Sequence, residues 1–175
     1  MHNWPVVGAG IAMKSLFAIA LVLGLAIVPA AAQDLTFNGN SNVTLKLSMP
    51  DSWFTDPNPD STIVLKSPDH SAAITLSIVE SDQTSDDLAD ALMKGVNATP
   101  PQKDSPAAIS GHDGQRYMSG VVNSHGVHAN IRLTVVRANA QYVIVCMVVF
   151  QDNLAPDAQA ALNDIVGSIA IQPPV

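Results

Sequence analysis

Residues 142–150 read Tyr-Val-Ile-Val-Cys-Met-Val-Val-Phe, and this run decides the fold of the chain. Apart from Cys146, none of its members is polar. A strand with one solvated face alternates apolar and polar residues, so a strand that is apolar on both sides is covered on both sides. The run therefore predicts a central strand whose sheet carries a further layer of structure on each face.

The segments that flank this run supply its neighbours. Upstream, alternating residues predict two strands, 115–122 and 127–138, which are joined into a hairpin by a polar turn. Downstream, Pro156 is typical of the first residue of a helix, and an apolar stripe through Leu162 and Ile165 turns that helix towards the core. A hairpin, the central strand and a covering helix thus follow one another.

Earlier in the chain, alternation predicts strands at 44–49, 62–65 and 72–80, and then a helix that begins at Thr84 or Ser85. These strands are separated by turn-forming residues.

Between that helix and the hairpin, residues 99–106 are predicted to be an exposed linker and 107–110 a short strand. The order is then β-β-β-α-β-β-β-β-α. Such an order predicts an α+β fold, with a largely antiparallel sheet of about six to seven strands flanked by helices as an α/β/α sandwich.

The first 32 residues have the pattern of a secretory signal peptide. Lys14 precedes the apolar run 15–28, and Ala30 and Ala32 stand where the signal peptidase admits only small side chains. A membrane-spanning anchor is the alternative, but it needs about 20 continuous apolar residues, and this run is shorter and ends in a proline turn. The segment is therefore predicted to be a cleaved leader, with Met13 as an alternative start.

Cleavage after this leader leaves residues 33–175 as a single globular domain. The residue that follows the cleavage point is Gln33 rather than cysteine, so no lipid anchor is expected. The sequence thus predicts a periplasmic or secreted protein with no stable membrane anchor after cleavage.

The chain of 175 residues is acidic, with 15 Asp and Glu against 8 Lys and Arg and a net charge of -7. Nucleic acid is excluded as a partner because phosphate binding needs a basic stripe. A single cysteine excludes a disulfide framework and a thiolate zinc site. There is no G-x-S-x-G elbow or phosphate loop, and burial should keep the Cys146 thiol unreactive. No catalytic residue, no cofactor and no enzymatic activity are expected.

Three short motifs resemble the PsbP-like family, which includes bacterial envelope proteins of the DcrB type. They are the strand end Met-Pro-Asp-Ser-Trp at 49–53, the small-residue turn Ser-Gly-His-Asp-Gly at 110–114, and the helix end Asp-Ile-Val-Gly-Ser-Ile at 164–169. The resemblance implies an α/β/α sandwich. Members act chiefly as binding or assembly partners and share no catalytic residues, so the resemblance assigns none here. The leader departs from that of the lipoprotein members.

Two histidines, His125 and His128, lie close together at the hairpin tip and are weak candidates for a metal site. A two-histidine site is unselective, and His112 lies at the opposite end of the hairpin. Polar turn histidines are the simpler interpretation, so no metal is predicted.

Four residues are candidates for binding a partner. Trp53 and Phe54 follow a strand end, where they could anchor a partner, although a tryptophan there more often closes its own core. Arg116 and Arg132 lie on one face of the long hairpin, where they form an anion-binding patch or pair with nearby aspartates.

These features together predict an exported, soluble, non-enzymatic binding or accessory protein of the cell envelope that acts through protein–protein contact. Two alternatives remain open. One is a carrier that holds a small ligand in a cavity between the sheet and a helix. The other is an immunity protein whose acidic surface neutralises a basic toxin.

Overall fold

The computed structural model describes residues 32–39, 41–56, 62–122 and 126–172. The leader up to residue 31 and the candidate ligand His125 lie outside these residues. The described elements follow one another along the chain in this order: β1 (Ala32–Phe37), β2 (Thr44–Pro50), β3 (Phe54–Asp56), β4 (Thr62–Lys66), β5 (Ala72–Glu80), α1 (Ser85–Gly95), β6 (Gln102–Ile109), β7 (His112–Val122), β8 (His128–Arg137), β9 (Tyr142–Phe150), α2 (Pro156–Ser168) and β10 (Ala170–Gln172).

Seven of these strands form one antiparallel sheet with the order β3-β4-β5-β9-β8-β7-β6. The apolar run at 142–150 is β9, the middle strand, which pairs with β5 on one side and β8 on the other. The predicted α+β fold with a largely antiparallel sheet is thereby confirmed, and so is the central position of this run.

One face of the large sheet is covered by α1. Leu88 and Met93 of the helix pack against a cluster that includes Leu133 of β8 and Val145 of β9. Thr84 caps the helix, since its hydroxyl accepts a hydrogen bond from the Asp87 N–H at 3.2 Å.

The opposite face is covered by α2 together with a second sheet of three strands, ordered β1-β2-β10. Leu162 and Ile165 of α2 and Leu45 of β2 join Ile74 and Ile144 of the large sheet in one buried cluster. Two hydrophobic clusters therefore lie on opposite faces of the seven-stranded sheet. Within the described residues, no helix is long and apolar enough to cross a membrane.

The prediction of an exposed linker at 99–106 is wrong over most of its length, because Gln102–Ile109 forms β6 at the edge of the large sheet. Its side chains are largely exposed, so the segment shows no apolar alternation. A bulge between Lys103 and Ser105 and the edge position accommodate Pro106, which has no backbone N–H to donate.

The second sheet was not expected either. β1 begins at Ala32, the last residue of the predicted leader, and β10 has three residues directly after a helix. A strand of three residues is too short to show a period, and the same holds for β3.

Candidate binding cleft

The pairing of β7 with β8 places three polar side chains on one face of the large sheet. Arg116 lies opposite Thr134, and Arg132, two residues before Thr134 in β8, lies opposite Met118. Diagonal neighbours of this kind are about 7–8 Å apart, within reach of long side chains. The two arginines and the threonine therefore converge, and for the arginines the hairpin alternation predicts this shared face.

This face meets α2 across an open cleft of about 360 Å³. Its floor is formed by Arg116, Arg132 and Thr134, and its α2 wall includes Asn163 and Val166. The edge strand β6 closes the third side. A volume of this size lies at the lower end of the range of small-molecule sites.

Arg116 is held by groups from the neighbouring edge strand. Its Nε donates to Asp104 Oδ2 at 2.6 Å, and an Nη donates to Ser105 Oγ at 2.7 Å. The hydrogen bond from Arg116 lowers the pKa of the Asp104 carboxyl below its usual value, so this pair remains ionised. Part of the charge of Arg116 is thus neutralised.

Arg132 has a different environment. Its side chain is half-buried, and no carboxylate or other hydrogen-bond acceptor among the described residues is paired with its guanidinium. Burial lowers the pKa of Arg132 from its ordinary value, and the nearby positive charge of Arg116 lowers it further. A guanidinium nevertheless stays protonated in proteins, so the cleft contains an uncompensated positive charge.

Two neutral groups complete the polar lining. Thr134 is nearly buried at 9% exposure, and its hydroxyl makes no side-chain hydrogen bond within the described part of the chain. Asn163 accepts a hydrogen bond from Gln159 Nε2 at 3.1 Å, which leaves the N–H donors of its own amide available. Donors therefore predominate over acceptors around the cleft.

The two aromatic candidates lie elsewhere. Trp53 is buried at 4% exposure in the cluster beneath α2, after a turn in which its N–H donates to Pro50 O at 2.9 Å. Phe54 begins the edge strand β3 and is 54% exposed. Four strand spacings, about 20 Å, separate β3 from β8 in the sheet, so the structure does not bring the aromatic pair to the arginines.

The remaining candidates are placed as follows. His128 is exposed at the start of β8. The described residues contain no group of three or more His, Cys, Asp or Glu side chains that could hold a metal ion. Cys146 is buried opposite Thr134, and burial raises the pKa of its thiol to about 12, as expected for an unreactive core cysteine.

The contribution of α2 to the cleft was not predicted. Asn163 and Val166 lie beside the core positions Leu162 and Ile165, so helical periodicity places them at the margin of the buried stripe. That margin signals a partly covered surface. It does not show which strands the surface faces, because this depends on how α2 crosses the sheet.

No family model matches this chain, and no curated protein matches it in sequence. Solved structures show its fold. CyanoP, the PsbP of the cyanobacterium Synechocystis sp. PCC 6803, superposes with a TM-score of 0.57 at 12% identity, covering 84% of this chain and 96% of its own. LpqN of Mycobacterium tuberculosis, a protein involved in cell envelope biogenesis, gives a TM-score of 0.52 at 17% identity over 81% of this chain and 92% of LpqN.

A protein of Bacteroides thetaiotaomicron gives a TM-score of 0.50 at 11% identity. It covers 73% of this chain, which spans only 45% of the Bacteroides protein. At such low identities the likeness concerns the fold alone. The chain has a PsbP-like α+β fold, as its short motifs suggested.

Proposed function

We propose that this protein is an exported binding protein of the cell envelope that holds a small ligand in the cleft between α2 and the large sheet. One observation carries the proposal. The cleft concentrates two arginines and a hydroxyl on the sheet side of a helix, and none of the described residues that line it is acidic. The predicted leader and the likeness in fold to an envelope-biogenesis protein support the compartment.

Binding fits these groups better than catalysis. A guanidinium can hold a negative charge but cannot act as a general base at neutral pH. The hydroxyl of Thr134 has no hydrogen-bonded base that would activate it, and the thiol of Cys146, its neighbour on β9, stays protonated. We therefore propose a role without turnover, as an accessory or carrier protein.

Two alanines on opposite faces of the large sheet allow the proposal to be tested. Ala107 lines the cleft, since it pairs with Gly114 and shares a face with Arg116, whereas Ala91 is exposed on α1 and does not line the cleft. Native mass spectrometry of protein freshly isolated from the envelope fraction should show a bound mass on the wild type. Ala107→Leu fills the cleft and should remove that mass, and the control Ala91→Leu adds the same side chain on α1 and should retain it.

Ligand binding in the cleft would be contradicted if the wild-type protein shows only its unliganded mass. It would also be contradicted if the Ala107→Leu variant retains the bound ligand. In that case the second candidate function would replace it, an accessory role through protein–protein contact. The observation that favours this candidate is the 54% exposure of Phe54 on the edge strand β3. Large exposed aromatic residues are typical anchors of protein interfaces.

A further inference from the structure

We propose that the cleft selects small amphiphilic anions and that the guanidinium of Arg132 binds their carboxylate or phosphate group. The inference rests on the proposed function, since it names the class of ligand that the cleft takes.

The cleft differs in charge from the chain as a whole. The chain has 15 acidic side chains and 8 basic ones, so its surface as a whole repels anions. The cleft reverses this sign, because Arg116 and Arg132 line it and no Asp or Glu does so within the described residues. A concave site with walls of low dielectric strengthens the field of such charges. An anion is therefore attracted to this one location.

The guanidinium of Arg132 is half-buried and has no acidic partner among the described residues. A half-buried charge without a partner is unfavourable for folding, and the like charge of Arg116 on the diagonal position adds repulsion. Neighbouring β-strand positions on this face hold apolar residues, Val136 and Val148 among them, so the fold does not require an arginine here. A group that opposes folding is expected where a ligand needs it.

The cleft lining combines hydrogen-bond donors with apolar side chains. The planar guanidinium donates two parallel hydrogen bonds to a carboxylate or phosphate, which gives both charge compensation and orientation. The hydroxyl of Thr134 and the amide of Asn163 supply further neutral donors. The apolar side chains of Ala107 and Val166 stand beside them and suit a short alkyl chain attached to the anion.

Isothermal titration calorimetry with four probes tests the inference: hexanoate, hexyl phosphate, inorganic phosphate and the neutral hexanol. The full-length wild type, freed of co-purified ligand by dialysis, should bind both hexyl anions more tightly than hexanol, and less tightly as salt is raised. Binding of inorganic phosphate as tightly as hexyl phosphate would contradict the amphiphilic class and would identify a free anion as the ligand. Weaker binding of the inorganic ion would identify an amphiphile.

Two variants test whether the positive charge of Arg132 binds the anion. Arg132→Gln should weaken binding of the hexyl anions by about 10- to 100-fold, the loss expected for a charge-assisted hydrogen bond. Lys94→Gln removes the same charge from α1 on the opposite face of the sheet and should leave binding unchanged. The melting temperature of Arg132→Gln should not fall below that of the wild type, because the removed charge has no partner in the described structure.

Equal affinity for hexanol and hexanoate, or unchanged anion binding by Arg132→Gln, would overturn the inference. A bound mass lost in Ala107→Leu would then still support a cleft ligand, and only its anionic character would be rejected. A fall in the melting temperature of Arg132→Gln would likewise count against the inference, because it would show that the arginine stabilises the fold.

Discussion

Gly114 leaves no space for a side chain between β7 and the strand that it faces. A Cβ atom added at this position would lie 2.3 Å from Val135 O and 2.5 Å from Val136 Cγ2. Gly120, in the same strand, would meet Ala129 O at 3.7 Å, an ordinary contact distance. The two glycines are alike in sequence and differ only in the register of their pairing with β8.

This difference predicts that alanine is tolerated at position 120 and destabilises the fold at position 114. Gly114→Ala forces a methyl group against the backbone of β8 and should lower the free energy of unfolding by about 1–3 kcal/mol. Gly120→Ala should change it by no more than about 0.5 kcal/mol. Urea denaturation followed by far-UV circular dichroism measures both values. Equal stability of the two variants would show that β8 shifts freely to make room.

Trp53 and Phe54 show what could be predicted at the residue scale. Both follow a predicted strand end, and their sequence context does not separate them. The turn that joins Pro50 O to the Trp53 N–H directs the first ring into the core and leaves the second on the edge strand β3. Such a choice depends on backbone direction over a single turn, which residue type does not determine.

At the scale of elements, α2 packs on the second sheet through apolar side chains and is hydrogen-bonded to it by a serine hydroxyl. The hydroxyl of Ser168, the last residue of α2, accepts a hydrogen bond from the Ser48 N–H at 2.9 Å and donates to Ile165 O at 2.7 Å. Ala170 pairs with Lys46, so Ser168 lies where the antiparallel ladder of β10 and β2 would continue. A side chain thus replaces a backbone partner at the point where the helix ends.

Ser168→Ala removes this partner and leaves the Ser48 N–H without an acceptor in a partly buried place. The free energy of unfolding should fall by about 1–3 kcal/mol. Hydrogen exchange at the Ser48 amide should accelerate by more than that at the centre of β9. Ser168→Thr keeps the hydroxyl and serves as the control, and a loss of stability equal to that of Ser168→Ala would argue against the hydrogen bond as its cause.

The elements divide by burial into those that sequence patterns predict and those that they do not. β5, β8 and β9 are long and buried, and their apolar residues define them. Most of β6 has the residue pattern of a linker, because an exposed edge strand obtains its stability from backbone pairing, which residue type does not reveal. β10 is three residues long and was missed for lack of any period.

For the whole molecule, alternation along the hairpin predicts that Arg116 and Arg132 share a face, and the register shows that they do, with Thr134 between β7 and β9 on the same face. The cleft itself could not be predicted. It exists because α2 and the second sheet cover the β4, β5 and β9 part of the large sheet more completely than the hairpin part. That offset is a property of how layers cross, to which every contact along α2 contributes.

The two hydrophobic clusters are joined through shared strands. Within β8, Leu133 belongs to the cluster under α1 and Val136 to the cluster under α2. β9 is divided in the same way between Val145 and Ile144. Neither cluster can lose its strands while the other keeps them, so we expect the molecule to unfold in one transition.

The Leu133→Ala variant tests whether the whole molecule unfolds in one transition. The side chain is fully buried on the α1 face, and its truncation should lower the free energy of unfolding by about 2–5 kcal/mol. In the chain from Gln33 onward, Trp53 is the only tryptophan, and it lies in the cluster on the opposite face. Its fluorescence transition should shift by the same free energy as the far-UV signal. A tryptophan midpoint that stays at the wild-type value while the far-UV transition splits would show that each face unfolds by itself.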